Sequence, residues 1–228
     1  MTRILITGAN KGIGFVLAQT LGNQGNSILV GARNADRGQE AVAKLTAQGI
    51  SAAYLNVDLS NNNTLFTAAE TVKSIYPDLG MLINNAGIPG NMQVKAPDTQ
   101  ISDLQSTMQV NFFGNFTLIQ ALLPVLETNR GRIINITIPT AANPFWNPLA
   151  YKTSKAALNT MTTSLAAAFD ADKRPLEIFS IHPGPTTTDL NGNAHADGFQ
   201  TPDQVAQKIA AVLNDGKVHQ GEFIETGK

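Results

Sequence analysis

Residues 4–14 read ILITGANKGIG, an apolar run followed by a glycine-rich loop and the beginning of an amphipathic segment. The apolar run predicts a buried strand, and the residues after the loop predict a helix. Glycine lets the backbone turn tightly and approach a pyrophosphate, whose negative charge the N-terminus of a helix stabilises. Glycines can also serve a turn alone, but their position between a strand and a helix favours a dinucleotide-binding loop. Its predicted contacts are Gly8, Asn10, Lys11, Gly12, Ile13 and Gly14.

The same alternation of apolar runs and amphipathic segments continues along the rest of the chain. It is typical of a mostly parallel sheet with helices on both faces, which binds its ligands at the carboxyl ends of the strands. No repeat or linker divides the sequence, so we expect one domain over residues 1–228, with a substrate-binding loop at about 184–200. The predicted strands lie near residues 4–6, 28–30, 52–57, 81–83, 132–136, 178–181 and 223–224.

The composition argues against several classes of function. The chain has 228 residues, no cysteine and a formal net charge of -1, so we expect neither disulfides nor a basic surface for nucleic acid or anionic membranes. Its three histidines are scattered, which argues against a metal site. The first residues lack the pattern of a signal peptide, and polar residues interrupt the longest apolar stretch, at 110–126. We therefore expect a soluble cytoplasmic protein that binds no metal.

The cofactor preference depends on the end of the second predicted strand. An acidic residue about 20 residues after the glycine loop would bind the ribose of NAD, but this strand ends in Arg33. Its guanidinium is a planar, permanently charged group suited to a 2′-phosphate, and Lys11 can add a second positive charge. Most such cations are simply solvated, but the two positions together favour NADP(H) over NAD.

Tyr151 and Lys155 lie four residues apart, hence on one face of a helix. Tyrosine has an ordinary pKa of about 10, and a nearby ammonium is expected to lower it. Tyr151 would then serve as a general acid for a carbonyl oxygen. This spacing is common by chance, and it gains weight because it follows five strand-helix units headed by the glycine loop.

Over essentially its full length the chain resembles the short-chain dehydrogenase/reductase family, whose domain is a Rossmann-type, doubly wound sheet, here of seven strands. Within that family it is most similar to NADPH-dependent carbonyl reductases, through residues 10–14, 32–34 with Arg37-Gly38, and 111–114. The matching motifs are Thr7 to Gly14, Asp58, Asn84 to Gly87, Asn111, Tyr151 with Lys155, and Pro183-Gly184.

The resemblance implies a role for each matching residue. Hydride would pass from the nicotinamide to a carbonyl carbon while Tyr151 protonates the oxygen. Lys155 would hold the hydroxyls of the nicotinamide ribose, and Asn111 would anchor a water-linked proton relay to that lysine. The other implied cofactor contacts are Asp58, with Leu59 beside it, at the adenine; Asn84, Ala86 and Gly87 at the adenosine ribose, where they also stabilise the central strand; and Pro183, Gly184, Thr186 and Thr188 at the carboxamide.

Position 138 departs from the family. A serine normally stands 13 residues before the tyrosine and orients the substrate carbonyl, whereas this chain has Ile138. Thr140 or Thr137 could supply the hydroxyl, the pocket could be reshaped by a natural or engineered substitution, or activity could be lost. Strand alternation favours Thr140, because it shares the parity of position 138. Losing one such donor typically costs about 100- to 1,000-fold in turnover, so a slow enzyme is expected.

The residues expected around the nicotinamide are apolar and suggest a medium-sized apolar or aryl ketone, aldehyde or dione as substrate. The predicted function is therefore an NADPH-dependent reductase of carbonyl groups. A catalytically weak NADP-binding sensor or partner-binding protein is the alternative, and Ile138 is the feature that favours it. We expect a homodimer through the helices near 98–127 and 150–169, or a tetramer. The predicted substrate pocket comprises Ile138, Phe145, Trp146 and Pro185.

Overall fold

The computed structural model describes residues 1–142 and 146–227 and shows a seven-stranded sheet in the order β3-β2-β1-β4-β5-β6-β7. Every neighbouring pair of strands is parallel, so the predicted mostly parallel sheet is parallel throughout. The strands are β1 (Arg3–Thr7), β2 (Ser27–Ala32), β3 (Ala52–Asn56), β4 (Leu79–Asn84), β5 (Arg132–Ile136), β6 (Glu177–His182) and β7 (Phe223–Glu225).

Helices cover both faces of the sheet, as the alternating pattern predicts. One buried cluster includes residues from α1, α2 and α7, and the opposite cluster includes residues from α3, α5 and α6. In β1, Leu5 belongs to one cluster whereas Ile4 and Ile6 belong to the other, which explains why a strand buried on both faces is apolar throughout. The helices are α1 (Gly12–Asn23), α2 (Ala35–Thr46), α3 (Asn62–Ile75), α4 (Ile101–Met108), α5 (Gly114–Thr128), α6 (Leu149–Ala171) and α7 (Pro202–Leu213).

A π-helical turn, Gln109–Phe113, joins α4 and α5 into one helical run. A side chain at Gly114 would place its Cβ 2.2 Å from the carbonyl oxygen of Leu59, so glycine permits the close approach of α5 to the turn that follows β3. The whole run is long and apolar enough to cross a membrane by composition alone. Leu118 and Leu122 are nevertheless fully buried, as expected of a helix packed in a core.

The strand order reverses at β1, which lies between β2 and β4. The chain therefore leaves the carboxyl ends of β1 and β4 in opposite directions and opens a crevice above them. The glycine loop follows β1, the Asn84 to Gly87 segment begins at the last residue of β4, and the predicted binding loop follows β6. All of these segments meet at one edge of the sheet.

Candidate active site

The glycine loop has the backbone that its sequence predicts. Gly8 and Gly12 have positive φ angles of 68° and 56°, a conformation that side chains other than glycine rarely adopt. At Gly14 a Cβ would lie 2.5 Å from Asn85 Nδ2 and 2.6 Å from the Gly8 carbonyl oxygen. Helix α1 begins at Gly12, so its free N–H groups face the loop, where an anion would be stabilised.

Asn85 holds this loop, although sequence reasoning gave it no role of its own. Its side-chain Nδ2 donates to the carbonyl oxygen of Thr7 at 2.9 Å. In return, Thr7 Oγ1 accepts the backbone N–H groups of Asn85 and Ala86, each at 3.0 Å. The end of β4 thus fixes the start of the glycine loop. The available signal was the second asparagine of the Asn84-Asn85 pair.

Beside the loop lies a cavity of about 350 Å³ with three cationic side chains in its wall. Lys11 Nζ donates to Asp189 Oδ2 at 2.8 Å, and both side chains are more than half exposed. Arg33 is exposed after the end of β2 and does not line this cavity, so its contact with a 2′-phosphate stays a prediction. Arg37 does line the cavity, and the Arg37-Gly38 pair was the signal for it. The cavity is lined by Asn10, Lys11, Arg37, Glu40, Ala41, Lys44 and Asp189.

The predicted adenine contact, Asp58, follows β3 and is half-buried. Its Oδ1 atom accepts hydrogen bonds from the backbone N–H and the hydroxyl of Ser60, at 3.0 and 2.7 Å. Leu59 is buried, and its carbonyl oxygen accepts a hydrogen bond from Gln109 Nε2 at 3.3 Å. These bonds order the turn, while the contact of Asp58 and Leu59 with an adenine stays a prediction.

Asn84 is the last residue of β4, and its side chain lies inside the domain. Its side chain is buried, and Nδ2 donates to Asn135 Oδ1 at 2.9 Å. Asn135 in turn donates to Thr162 Oγ1 on α6 at 2.8 Å. The side chain therefore joins β4, β5 and α6 inside the domain, while the contact of Asn84 with a ribose stays a prediction. Ala86 and Gly87 are half-buried, after the end of β4.

Tyr151 and Lys155 are both buried on α6. Lys155 Nζ donates to the carbonyl oxygen of Ile136 at 2.8 Å and lies 5.7 Å from the centroid of the Tyr151 ring. A Cβ at Gly87 would come within 3.8 Å of Nζ, so Gly87 borders the ammonium. The structure thus brings the tyrosine, the lysine and the segment after β4 together.

Asn111 is fully buried in the π-helical turn and connects three segments. Its Oδ1 accepts from the backbone N–H of Ile88 at 2.8 Å, and its Nδ2 donates to the Ile88 carbonyl oxygen and to Ser154 Oγ, at 2.9 and 3.0 Å. A Cβ at Gly87 would lie 3.1 Å from Oδ1. Asn111 therefore lies beside the Lys155 site, and its side chain fixes α6 relative to the segment after β4.

The pKa values differ from the sequence expectation. Burial raises the pKa of Tyr151 to about 12, and burial lowers the pKa of Lys155 to about 8. The expectation that Lys155 would lower the pKa of Tyr151 is wrong for this cleft, because desolvation is the dominant effect on each group. At neutral pH Tyr151 keeps its proton and Lys155 is mostly an ammonium, so the tyrosine is a proton donor in its resting state.

The structure narrows the search for the hydroxyl that replaces the missing serine. Thr137 Oγ1 donates to Asn159 Oδ1 of α6 at 2.8 Å, and the residue is buried. The proton of this hydroxyl is therefore already donated to a side chain of α6. Ile138 and Thr140 are both half-buried, but β5 ends at Ile136, so strand alternation does not extend to them. The role of Thr140 as the donor stays a prediction.

Trp146 and the loop after β6 border the cleft. The Trp146 ring lies edge-on to Tyr151, with centroids 6.0 Å apart and planes at 71°, and 39% of the residue is exposed. Pro185 is exposed, and Thr188 Cγ2 would lie 3.9 Å from a Cβ at Gly12, so the loop at 184–200 reaches the glycine loop. Phe145 lies outside the described residues.

Pro183, Gly184 and Thr186 are buried at the start of that loop. Gly184 has a positive φ of 83°, and Thr186 Oγ1 donates to the Gly184 carbonyl oxygen at 3.0 Å. Gln200 Nε2 donates to the carbonyl oxygen of Pro183 at 2.7 Å and so ties the far end of the loop to its beginning. Their contact with a carboxamide stays a prediction.

Comparison with known proteins agrees with this arrangement. The chain is 34% identical over 134 residues to mouse carbonyl reductase (NADPH) 1, an alignment covering 58% of this chain and 47% of that protein. It is 32% identical over 186 residues to 7alpha-hydroxysteroid dehydrogenase of Escherichia coli K12, covering 81% of this chain and 71% of that one. A short chain dehydrogenase from Burkholderia cenocepacia J2315, solved in complex with NADP, superposes with a TM-score of 0.86 at 28% identity and covers 98% and 95% of the two chains.

The match to the mouse enzyme spans only about half of that protein's length, 47%, so its activity as a whole does not transfer with the alignment. The family model described as short chain dehydrogenase matches residues 2–198. That region contains the glycine loop, the segment after β4, the Tyr151 and Lys155 pair and most of the loop after β6. The chain therefore belongs to the short-chain dehydrogenase family of oxidoreductases.

Proposed function

We propose that this protein is an NADPH-dependent reductase that converts a ketone or aldehyde to an alcohol, with Tyr151 as the proton donor. The observation that carries the proposal is the buried group formed by Tyr151, Lys155 and Asn111 beside Gly87. A buried tyrosine whose ring centroid lies 5.7 Å from a lysine ammonium is placed to give its proton to a carbonyl oxygen and to have the resulting tyrosinate stabilised. A protein that only binds a cofactor has no need of such a donor.

The residues around the glycine loop fit a phosphorylated dinucleotide. Among the described residues, a Cβ at Gly12 would have only Thr188 Cγ2 within 4 Å, at 3.9 Å, so the loop has room for a pyrophosphate against the N-terminus of α1. Lys11 and Arg37 provide positive charge in the adjoining cavity for a 2′-phosphate. When bound, the reduced cofactor supplies the hydride. The similarity to a carbonyl reductase that carries NADPH in its name and to a structure in complex with NADP supports the same cofactor.

The chain's own residues would orient the substrate and deliver the proton. Tyr151 Oη would donate a hydrogen bond to the carbonyl oxygen and transfer its proton as charge develops there. The Lys155 ammonium would stabilise the resulting tyrosinate, and Asn111 would keep α6 in place through Ser154. Thr140 would provide the second donor to the oxygen.

Replacement of Tyr151 by phenylalanine tests this function. It removes the proton donor and keeps the ring, so kcat for NADPH oxidation with a small aryl ketone should fall by at least about 100-fold. The NADPH dissociation constant, measured by fluorescence titration, should stay within about twofold. If the wild-type protein failed to oxidise NADPH with every ketone, aldehyde and dione tested, the proposal would be contradicted.

Ile138 supports one other candidate, a catalytically weak NADP-binding sensor or partner-binding protein. The turnover assay and the NADPH titration together distinguish the sensor from the reductase, because the sensor would bind NADPH tightly and show no turnover that depends on Tyr151.

Trp146, Ile138 and Pro185 favour a medium-sized apolar or aryl carbonyl compound as substrate, since two of the three are exposed and all are apolar. Charged sugars that outperformed aryl ketones in a kinetic panel would exclude this class. We further propose that the protein works in the cytoplasm, which is consistent with its lack of cysteine. We also propose that it is a homodimer of single-domain chains.

A further inference from the structure

Lys152 is a buried lysine that the proton chemistry of Tyr151 does not use. It follows Tyr151 directly on α6, and only 8% of the residue is exposed. Taking an ammonium out of water is unfavourable unless protein oxygen atoms replace the lost water. The partners of Lys152 therefore indicate what this residue holds in place.

Both hydrogen-bond partners of Lys152 lie in the segment between β5 and α6. Its Nζ donates to the Ala141 carbonyl oxygen at 2.5 Å and to Asn147 Oδ1 at 3.1 Å. Neither acceptor is a carboxylate, so these contacts are not an ion pair. One ammonium thus connects the beginning of the segment, next to Thr140, with its end at the start of α6.

The same ammonium lies 5.9 Å from the centroid of the Trp146 ring, within the range of a cation–π contact. Trp146 also contacts Tyr151 edge-on. The indole is therefore held between Lys152 and Tyr151, while 39% of Trp146 remains exposed. An exposed aromatic side chain fixed against the proton donor suits a wall against which an apolar substrate packs.

We propose that Lys152 is a positioning residue: it holds Trp146 and the chain beside Thr140 against Tyr151, and so sets the affinity for apolar carbonyl substrates. This inference rests on the proposed function, because the substrate face is defined by Tyr151. It predicts that removing the ammonium loosens the tryptophan and weakens substrate binding while the cofactor side is unaffected.

Lys152→Met is the first test, with Lys73→Met on the exposed surface of α3 as the matched control. Methionine keeps an apolar stem, and the two acceptors belong to exposed residues, Ala141 and Asn147, so water can replace the lost donor at small cost. The unfolding midpoint should therefore stay within about 3 °C. Because the chain has a single tryptophan, its fluorescence reports Trp146 alone. The acrylamide quenching constant should at least double, by local loosening, in Lys152→Met and not in Lys73→Met.

Kinetics supply the second readout. For an aryl ketone, kcat/KM of Lys152→Met should fall about 10- to 100-fold, mainly through a higher KM, because the wall of the pocket is misplaced. The NADPH dissociation constant should remain that of the wild type. Lys152→Arg, which keeps a positive charge, should recover part of both changes.

If Lys152→Met does not fold, Asn147→Ala removes one acceptor and should shift the quenching constant and KM in the same direction by a smaller factor. Unchanged quenching and an unchanged KM in Lys152→Met would overturn the proposal. So would a lower unfolding midpoint with equal losses of NADPH and ketone binding, which is the result expected of a purely structural lysine. The quenching measurement needs neither cofactor nor substrate, so it can fail or succeed independently of the reductase activity.

Discussion

Lys155 changes its protonation at a pH that an assay can reach. Burial lowers its pKa from 10.5 to about 8, so the ammonium is present below that pH and is lost above it. Tyr151 has a pKa raised to about 12 and remains a proton donor throughout this range. The alkaline behaviour of the enzyme is therefore expected to follow the lysine.

We predict that kcat/KM for ketone reduction is constant near pH 7 and declines above about pH 8, as the ammonium that stabilises the tyrosinate disappears. Lys155→Arg should reduce the rate and also remove this decline, because a guanidinium does not lose its proton in this range. Steady-state profiles of both proteins check this prediction. A wild-type profile that stays flat to about pH 10 would show that the lysine charge is not needed.

A second prediction concerns the missing serine. If Thr140 donates to the substrate oxygen, Thr140→Val should lower kcat by about 100- to 1,000-fold. Ile138→Ser should then give only a small gain, because the site already has its second donor. Both variants are compared with the wild type using one aryl ketone. No change in Thr140→Val together with a large gain in Ile138→Ser would mean that the wild type lacks this donor.

At the scale of elements, the position of α1 (Gly12–Asn23) depends on two crowded glycines, one near each end of the helix. A Cβ at Gly14 would lie 2.5 Å from Asn85 Nδ2. In the far half of the same helix, a Cβ at Gly22 would lie 2.3 Å from Cγ2 of Ile50, which precedes β3. Both substitutions to alanine should destabilise the protein, by overpacking of about 1–3 kcal/mol. They differ in their distance from the glycine loop.

Gly14→Ala should therefore raise the NADPH dissociation constant at least about tenfold, since it displaces the N–H groups that face the pyrophosphate. Gly22→Ala should leave NADPH binding nearly unchanged at a comparable loss of stability. Fluorescence titration and urea unfolding measure the two quantities. Equal effects of both variants on NADPH binding would contradict the assigned role of the loop.

The elements themselves were predictable because their signals are local. Runs such as residues 28–30 are apolar throughout, as expected of strands covered on both faces. Thr201-Pro202 has the local pattern of a helix cap followed by a first-turn proline, and in the structure Thr201 caps α7 and Pro202 begins it. Residues 98–127 contain two helices, α4 and α5, and the junction between them is a π-helical turn that includes Asn111.

The contacts across elements could not be predicted in the same way. The partner of Lys155 is the Ile136 carbonyl oxygen, 19 residues away in sequence, and Asn85 reaches Thr7 across 78 residues. The direction of the pKa shift of Tyr151 depends on burial, which spacing along a helix does not reveal. A motif therefore identifies which residues meet, whereas their environment decides what charge each one carries.

At the scale of the whole molecule, the outer surface of α6 is the expected dimer interface. Ala156 and Ala157 are half-buried, and Thr160 is exposed, so two such helices can approach closely. The exposed side chains of Ile101 and Phe113, 67% and 50% accessible, add apolar area on the neighbouring α4 and π-helical turn. An interface of this kind would bury surface that is otherwise open to water.

Sedimentation should accordingly give twice the mass of a single chain. Thr160→Arg places a charge in the contact and should weaken the dimer at least about tenfold, with little effect on the stability of the chain because the site is exposed. Thr67→Arg, at an exposed position of α3, is the matched control and should remain dimeric. A wild type that sediments as a monomer at assay concentration would exclude this assembly.

The place of β1 in the middle of the sheet has a consequence for synthesis on the ribosome. β1 pairs with β2 on one side and with β4 on the other. Arg3, for example, lies opposite Ser27 of β2 and opposite Leu79 of β4, which comes much later in the chain. The glycine loop therefore emerges from the ribosome before Asn85, which fixes it and which follows several seconds later at translation rates of about 5–20 residues per second. Until then β1 is an unpaired edge in a partly made sheet, the kind of surface that invites misassembly. A nascent chain of this protein should bind its cofactor late, after β4 has emerged, and should need protection before that point more than after it.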